Sequence, residues 1–175
     1  LEKGILPPDA VDRVIQRSEF DTGPMIGVRA VARAWVDPAY KQRLLEDPRG
    51  ALKDFGLDYE ALRVVENTPA VHNVVVCTLC SCYPWAVMGL PPTWYKMPAY
   101  RSRTVAEPRR VLAEFGLRIL ESREIRVWDS SAELRYMVLP ERPAGSQAMG
   151  EAELIPLITR DALIGVADVR LPSPA

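Results

Sequence analysis

Val74–Trp85 reads VVVCTLCSCYPW, a β-branched run that stops on Cys77 and is followed at once by Cys80 and Cys82. These are the only three cysteines in 175 residues. Valines favour extended backbone, so Val64–Val76 predicts a strand that delivers the chain to Cys77. An isolated buried cysteine is an ordinary small apolar residue, but packing does not account for three crowded at one strand end. Cys80 and Cys82 are separated by a single residue, too close for an easy disulfide, and an odd count is unlike a secreted disulfide framework. Thiols used for metal or redox chemistry in a cytoplasmic setting are the expectation.

The rest of the composition narrows the classes of partner. Formal net charge is −1 and 26% of residues are charged, which leaves no one-sided field for nucleic acid or an anionic membrane. No apolar run approaches the ~20 residues of a membrane span. Neither nucleic acid nor membrane is therefore an expected partner. The chain opens on Leu1 rather than Met, which suggests a natural start upstream, and no signal peptide is read from it.

Working toward the N-terminus, the sequence reads as helical. Pro8–Arg17 carries Ala10, Val11, Val14 and Ile15 on one face, and Met25–Trp35 repeats the pattern. Asp37-Pro38 looks like an N-cap and first-turn proline opening Pro38–Glu46. Asp47–Leu57 (DPRGALKDFGL) and Glu107–Leu117 (EPRRVLAEFGL) share one grammar. Each opens with an acid and proline, sets a Leu and a Phe on one face, and stops at Gly56 or Gly116.

Toward the C-terminus, Leu90–Tyr100 combines prolines and aromatics and reads as a rigid irregular loop. Glu124–Trp128 and Leu134–Leu139 read as strands joined by a tight turn at Asp129-Ser130-Ser131. Glu151–Ile158 reads as a short helix and Ala162–Val166 as a returning strand. The expected fold class is α+β: a helical N-terminal region over residues 1–63, then a layered α/β/β/α metal-binding domain over 64–175.

The cysteine cluster admits several chemistries. A thioredoxin-type CxxC opens a helix, whereas here Pro84 follows directly. Structural zinc needs four ligands. The lone His72 is a candidate fourth, but an extended strand places it roughly 16 Å before Cys77. An iron–sulfur cluster is short by one cysteine. A compact loop could instead gather three thiolates and its own main-chain nitrogens around one transition-metal ion, leaving a position open for Lewis-acid chemistry.

The loop CTLCSCYPW resembles the metal-binding loop of nitrile hydratase α subunits, and less specifically that of the related thiocyanate hydrolase catalytic subunit. The similarity continues through GLPPTWYKMPAYRSR, EPRRVLAEFGL, EIRVWDSSAELRYMVLPERPAG and TRDALIGV. It covers most of the chain after Val64. The resemblance implies an enzyme that hydrates a nitrile to an amide. Its metal would be held by the sulfurs of Cys77, Cys80 and Cys82 and the main-chain nitrogens of Ser81 and Cys82, with Cys80 a sulfinate and Cys82 a sulfenate. The family pattern CTLC, with Thr78, implies low-spin Co(III); Fe(III) is the alternative.

By the same resemblance, Cys82, Ser81 and Trp85 are the catalytic and pocket-lining candidates, and Arg135 lies near a subunit interface. Arg101 and Arg103 are further candidates. The implied partners are a β subunit in an αβ heterodimer or a pair of such heterodimers, a small nitrile, and a metallochaperone or activator. Two alternatives accompany this reading: a thiocyanate hydrolase, and a structural zinc module without catalysis. Ala86 replaces a family proline, and Asn73 stands where some relatives carry a second histidine.

Overall fold

A computed structural model describes residues 25–80 and 82–172. The helix expected at Pro8–Arg17 and the residue Ser81 lie outside the described residues.

Three short helices open the described chain: α1 (Ile26–Val36), α2 (Pro38–Glu46) and α3 (Pro48–Lys53). As expected, Asp37 caps α2, its carboxylate accepting from the amides of Ala39 (2.9 Å) and Tyr40 (3.0 Å). Such a cap stabilises a helix by about 1 kcal/mol. The two repeated segments end alike. In α3 the amide of Gly56 returns to Lys53 O and that of Leu57 to Leu52 O. In α6 (Pro108–Glu114) Gly116 and Leu117 repeat the bonds to Ala113 and Leu112. Both glycines have positive φ, 78° and 82°, so each stop is a Schellman motif. Leu52 and Leu112 are buried behind them.

The single long strand expected over Val64–Val76 is two strands, β1 (Leu62–Glu66) and β2 (Val71–Val76). Pro69 lies between them and offers no amide to a ladder; Thr68 instead exchanges both main-chain hydrogen bonds with Val71. The segments β3 (Glu124–Asp129) and β4 (Arg135–Leu139) are strands, but they do not pair with each other. β1 pairs in parallel with β4, and β2 with β3, giving two two-stranded sheets. The turn at Ser130-Ser131 therefore carries the chain from one sheet to the other.

Leu90–Tyr100 is more regular than the irregular loop expected. After the single turn α4 (Trp85–Met88), Thr93–Lys96 forms a 3₁₀ turn and Pro98 opens α5 (Pro98–Ala106). Glu151–Ile158 divides at Pro156 into α7 (Glu151–Leu154) and a 3₁₀ turn (Ile155–Leu157). Ala162–Val166 is not a strand. It lies in α8 (Arg160–Ile164), capped by the Thr159 hydroxyl, which accepts from Ala162 N at 3.2 Å, and stopped by Gly165 at φ 91°.

The architecture is mixed α+β. α2 and α3 pack on β1, α5 on β2 and α6 on β3, while β2 touches β4; the layers run helices, sheet, sheet, helices. One face of the strands sends Leu62, Val64, Val74, Val76, Met137 and Leu139 into the main core. The other face joins Val65, Val75 and Val138 in a small cluster, with Trp128 of β3 lying 5.0 Å from Tyr136 of β4. His72 of β2 is fully buried. Its Nε2–H donates to the Gly165 carbonyl (2.8 Å), and its Nδ1 accepts from the Asn67 amide (3.3 Å). Both ring nitrogens are thus used inside the fold.

Candidate metal centre

The register of the second sheet builds the site. Val76, the last residue of β2, lies opposite Asp129, the last residue of β3. Asp129 therefore stands beside the chain as it leaves the sheet. Its carboxylate accepts from the main-chain N–H of Thr78 (2.9 Å) and from the Thr78 hydroxyl (2.5 Å).

From α5, Tyr100 and Arg101 reach back to the same chain end. The Tyr100 hydroxyl donates to Val75 O at 2.6 Å. The Arg101 guanidinium then takes three successive carbonyls: Cys77 O (2.9 Å) through Nε, and Thr78 O (2.6 Å) and Leu79 O (2.8 Å) through Nη2. On the far side of the loop, the fully buried Tyr95 donates its hydroxyl to Cys82 O at 3.1 Å. Burial holds that hydroxyl well above the usual tyrosine range, so it remains a proton donor.

With these carbonyls engaged from outside, the loop's sulfurs converge. Cys77 is buried, Cys82 half-buried and Cys80 exposed, and no disulfide joins them. Their Sγ atoms all lie within 4.8 Å of one another. Cys77 Sγ is 3.6 Å from Cys80 Sγ, which is 2.7 Å from Cys82 Sγ. The Cys80 amide also points at Cys77 Sγ, at 3.4 Å.

The sulfurs differ electrostatically. Burial pushes the Cys77 thiol up, but the amides of Cys80, Cys82 and Leu79 and the Cys80 thiol outweigh it and hold Cys77 below the ordinary thiol value. The Cys82 thiol is pushed up to about 12, first by its hydrogen bond to Cys80, then by burial and the neighbouring sulfurs.

Among the described residues, these three sulfurs form the group able to hold a metal ion. The donor set fits such an ion: three converging thiols suit a soft or transition metal rather than magnesium or calcium. His72 does not complete a zinc sphere, because Asn67 and Gly165 occupy its nitrogens.

A depression of about 600 Å³ opens at the loop, lined by Cys80, Cys82, Trp85, Leu90, Lys96 and Arg135. Trp85 is 67% exposed there. Arg135 thus lies at the site, whereas Arg103 pairs with Glu107 and Glu114 along α5 and α6. Lys96, Asp129 and Tyr95 escaped sequence reasoning. For Asp129 a signal existed: an acid ends the strand that pairs with the cysteine-bearing one.

The family model described as "Nitrile hydratase, alpha chain" matches residues 1–167. The chain belongs to the nitrile hydratase alpha chain family. It is 55% identical over 178 residues to the low-molecular weight cobalt-containing nitrile hydratase subunit alpha of Rhodococcus rhodochrous, covering 100% of this chain and 86% of that protein. It is 43% identical over 189 residues to the thiocyanate hydrolase subunit gamma of Thiobacillus thioparus, covering 99% and 76%. Among solved structures, a double histidine variant of the Fe-type nitrile hydratase from Comamonas testosteroni Ni1 superposes with a TM-score of 0.84. The two share 42% identity over 99% of this chain and 89% of that one. Nitrile hydratase alpha chains and the thiocyanate hydrolase subunit thus share this fold family, and the cysteine loop of this member sits at the open end of its second sheet.

Proposed function

We propose that this chain is the metal-bearing α subunit of a nitrile hydratase, converting R–C≡N and water to R–CO–NH2. The observation that carries the proposal is the convergence of the Cys77, Cys80 and Cys82 sulfurs at the edge of a depression floored by an exposed tryptophan. The three sulfurs hold the ion together with the main-chain nitrogens of Ser81 and Cys82. The ion is Co(III), with Fe(III) the alternative; the relatives named as cobalt-containing and the Thr78 of the CTLC pattern support cobalt. Such an ion supplies the Lewis acidity that polarises the nitrile.

The chain's own groups do the rest. Cys77 is buried and stays unoxidised, its thiolate favoured by the amides around it, while the more open Cys80 and Cys82 are the sulfurs accessible to an external oxidant such as dioxygen, which would take them to sulfinate and sulfenate. As the resemblance implies, an oxygen on Cys82 would meet the substrate and the Ser81 hydroxyl would hydrogen-bond the oxygens of the site. Trp85 provides an apolar wall for the R group. The net reaction places the water oxygen on the nitrile carbon and both hydrogens on nitrogen, so no electron acceptor is needed.

The site is completed by a β subunit. Leu79 in the cysteine loop and Trp85 and Leu90 beside it are large, apolar and exposed, and clustered apolar exposure marks an interface. The assembly is an αβ heterodimer or a pair of such heterodimers, in a cytoplasmic setting where thiols persist. Loading requires main-chain amides to lose protons, so an activator protein that delivers the metal belongs to the proposal.

A second reading, thiocyanate hydrolysis, is favoured by the similarity to the Thiobacillus subunit. The test is to produce the chain with its β subunit in cobalt-fed cells and assay acrylonitrile, benzonitrile and thiocyanate. Amide formation from either nitrile is expected. Thiocyanate turnover without nitrile turnover would replace the proposal by the second reading.

A further inference from the structure

We infer that Arg101 is a positioning residue that holds the cysteine loop in the conformation that gathers its three sulfurs. The inference rests on the metal-centre proposal above, and its geometry is that of one arginine and three loop carbonyls. One guanidinium binds the carbonyls of three consecutive residues, Cys77, Thr78 and Leu79, at 2.9, 2.6 and 2.8 Å. In a trans peptide the C=O and N–H point in opposite directions. Fixing three carbonyls toward α5 therefore fixes the next three amides, those of Thr78, Leu79 and Cys80, away from it.

All three amides have partners, the Leu79 N–H turning to the Cys77 sulfur. The Thr78 N–H meets the Asp129 carboxylate at 2.9 Å, and the Cys80 N–H meets Cys77 Sγ at 3.4 Å. The loop is thus stretched between a cation that holds its oxygens and an anion that holds its first amide. Its later sulfurs are left directed at Cys77.

Arg101 is itself well placed for this. It follows Tyr100, whose hydroxyl is anchored on Val75 O at 2.6 Å, and it lies in the first turn of α5, started by Pro98. Its planar group takes Cys77 O from Nε and the other two carbonyls from Nη2, donors held a fixed distance apart. A lysine at this position keeps the charge and reaches fewer of them. The guanidinium also sets a fixed positive charge under a loop that carries thiolates once the ion is bound, which lowers the cost of gathering those charges.

The test uses the αβ complex produced with cobalt, comparing parent, Arg101→Lys and Arg101→Gln. Cobalt per α chain, the sulfur-to-metal charge-transfer absorption and the thermal midpoint are recorded. Expected for both variants is a several-fold loss of cobalt and a shifted or weakened absorption band, with Arg101→Lys melting within a few degrees of the parent. Parent-like cobalt content and an unmoved band in both variants would overturn the inference. A parent that binds no cobalt fails the metal-centre proposal instead.

Should neither variant fold, hydrogen exchange on the metal-free parent decides. Slow exchange at the Thr78 and Cys80 amides is expected, and exchange as fast as in an unstructured peptide overturns the inference.

Discussion

Asp129 receives both the main-chain N–H and the hydroxyl of Thr78, at 2.9 and 2.5 Å, across 51 residues of sequence. The contact exists because β2 and β3 run parallel with Val76 opposite Asp129, so the sheet register itself pins the first residue after Cys77. Thr78→Ser retains the hydroxyl and is expected to keep the parent's urea midpoint. Asp129→Asn keeps the shape without the charge. It is expected to lower stability by about 1–2 kcal/mol, the modest side of a charged hydrogen bond because the pair is open to water. Urea titration of both variants checks this; an Asp129→Asn protein equal to the parent contradicts it.

His72 makes stability depend on pH. Its pKa is held below 6.5, first by burial, with Arg123 acting in the same sense; the Gly165 carbonyl opposes the shift without cancelling it. The unfolded chain therefore takes up the proton first. The His72 contribution is present above about pH 6.5 and is lost as pH falls toward the folded-state value, at most ~1.4 kcal/mol per pH unit. Parent denaturation midpoints should fall more steeply between pH 7 and 5 than those of His72→Gln. Parallel profiles would remove His72 as the cause.

Gly165 and Gly116 both have positive φ, yet they should respond differently to alanine. A Cβ on Gly165 would lie 2.0 Å from Asn73 O and 3.0 Å from Val74 Cα; a Cβ on Gly116 meets nothing within 4 Å. Gly116→Ala then costs only the left-handed backbone, about 1 kcal/mol. Gly165→Ala adds a backbone clash and displaces the helix end that His72 holds, for a loss of at least about 3 kcal/mol. Equal costs, measured by denaturant titration, would contradict the close approach of α8 to β2.

Trp85 is 67% exposed in this chain, so Trp85→Ala should change the thermal midpoint of the isolated subunit little, within about 0.5 kcal/mol. Its effect belongs to substrate or partner. A raised KM for bulky nitriles or weakened β-subunit association is expected. Parent-like kinetics and assembly would make it a surface residue.

Local signals in the sequence carried much of this structure, and long-range ones carried little. Acid-proline starts mark α2, α3 and α6, and glycine stops mark the ends of α3 and α6, because capping and left-handed termination depend on a few adjacent residues. Strand partners do not. Glu124–Trp128 and Leu134–Leu139 are close in sequence and suggest a hairpin, but their ladders go to β2 and β1, more than 50 residues away. Ala162–Val166 was apolar enough to suggest a strand; Thr159 as N-cap and Asp161 in the first turn were the competing signals for α8.

At the site, the cysteine spacing alone pointed to a metal. The groups that hold the loop, Arg101, Asp129 and Tyr95, come from other elements and meet it only through the fold.

The central claim is that the sulfurs of Cys77, Cys80 and Cys82 hold one catalytic ion. Intact-mass and metal analysis of the αβ complex from cobalt-fed cells tests it most directly. One cobalt per α chain and three added oxygens, two on Cys80 and one on Cys82, are expected. One zinc per chain with three unmodified thiols would contradict it.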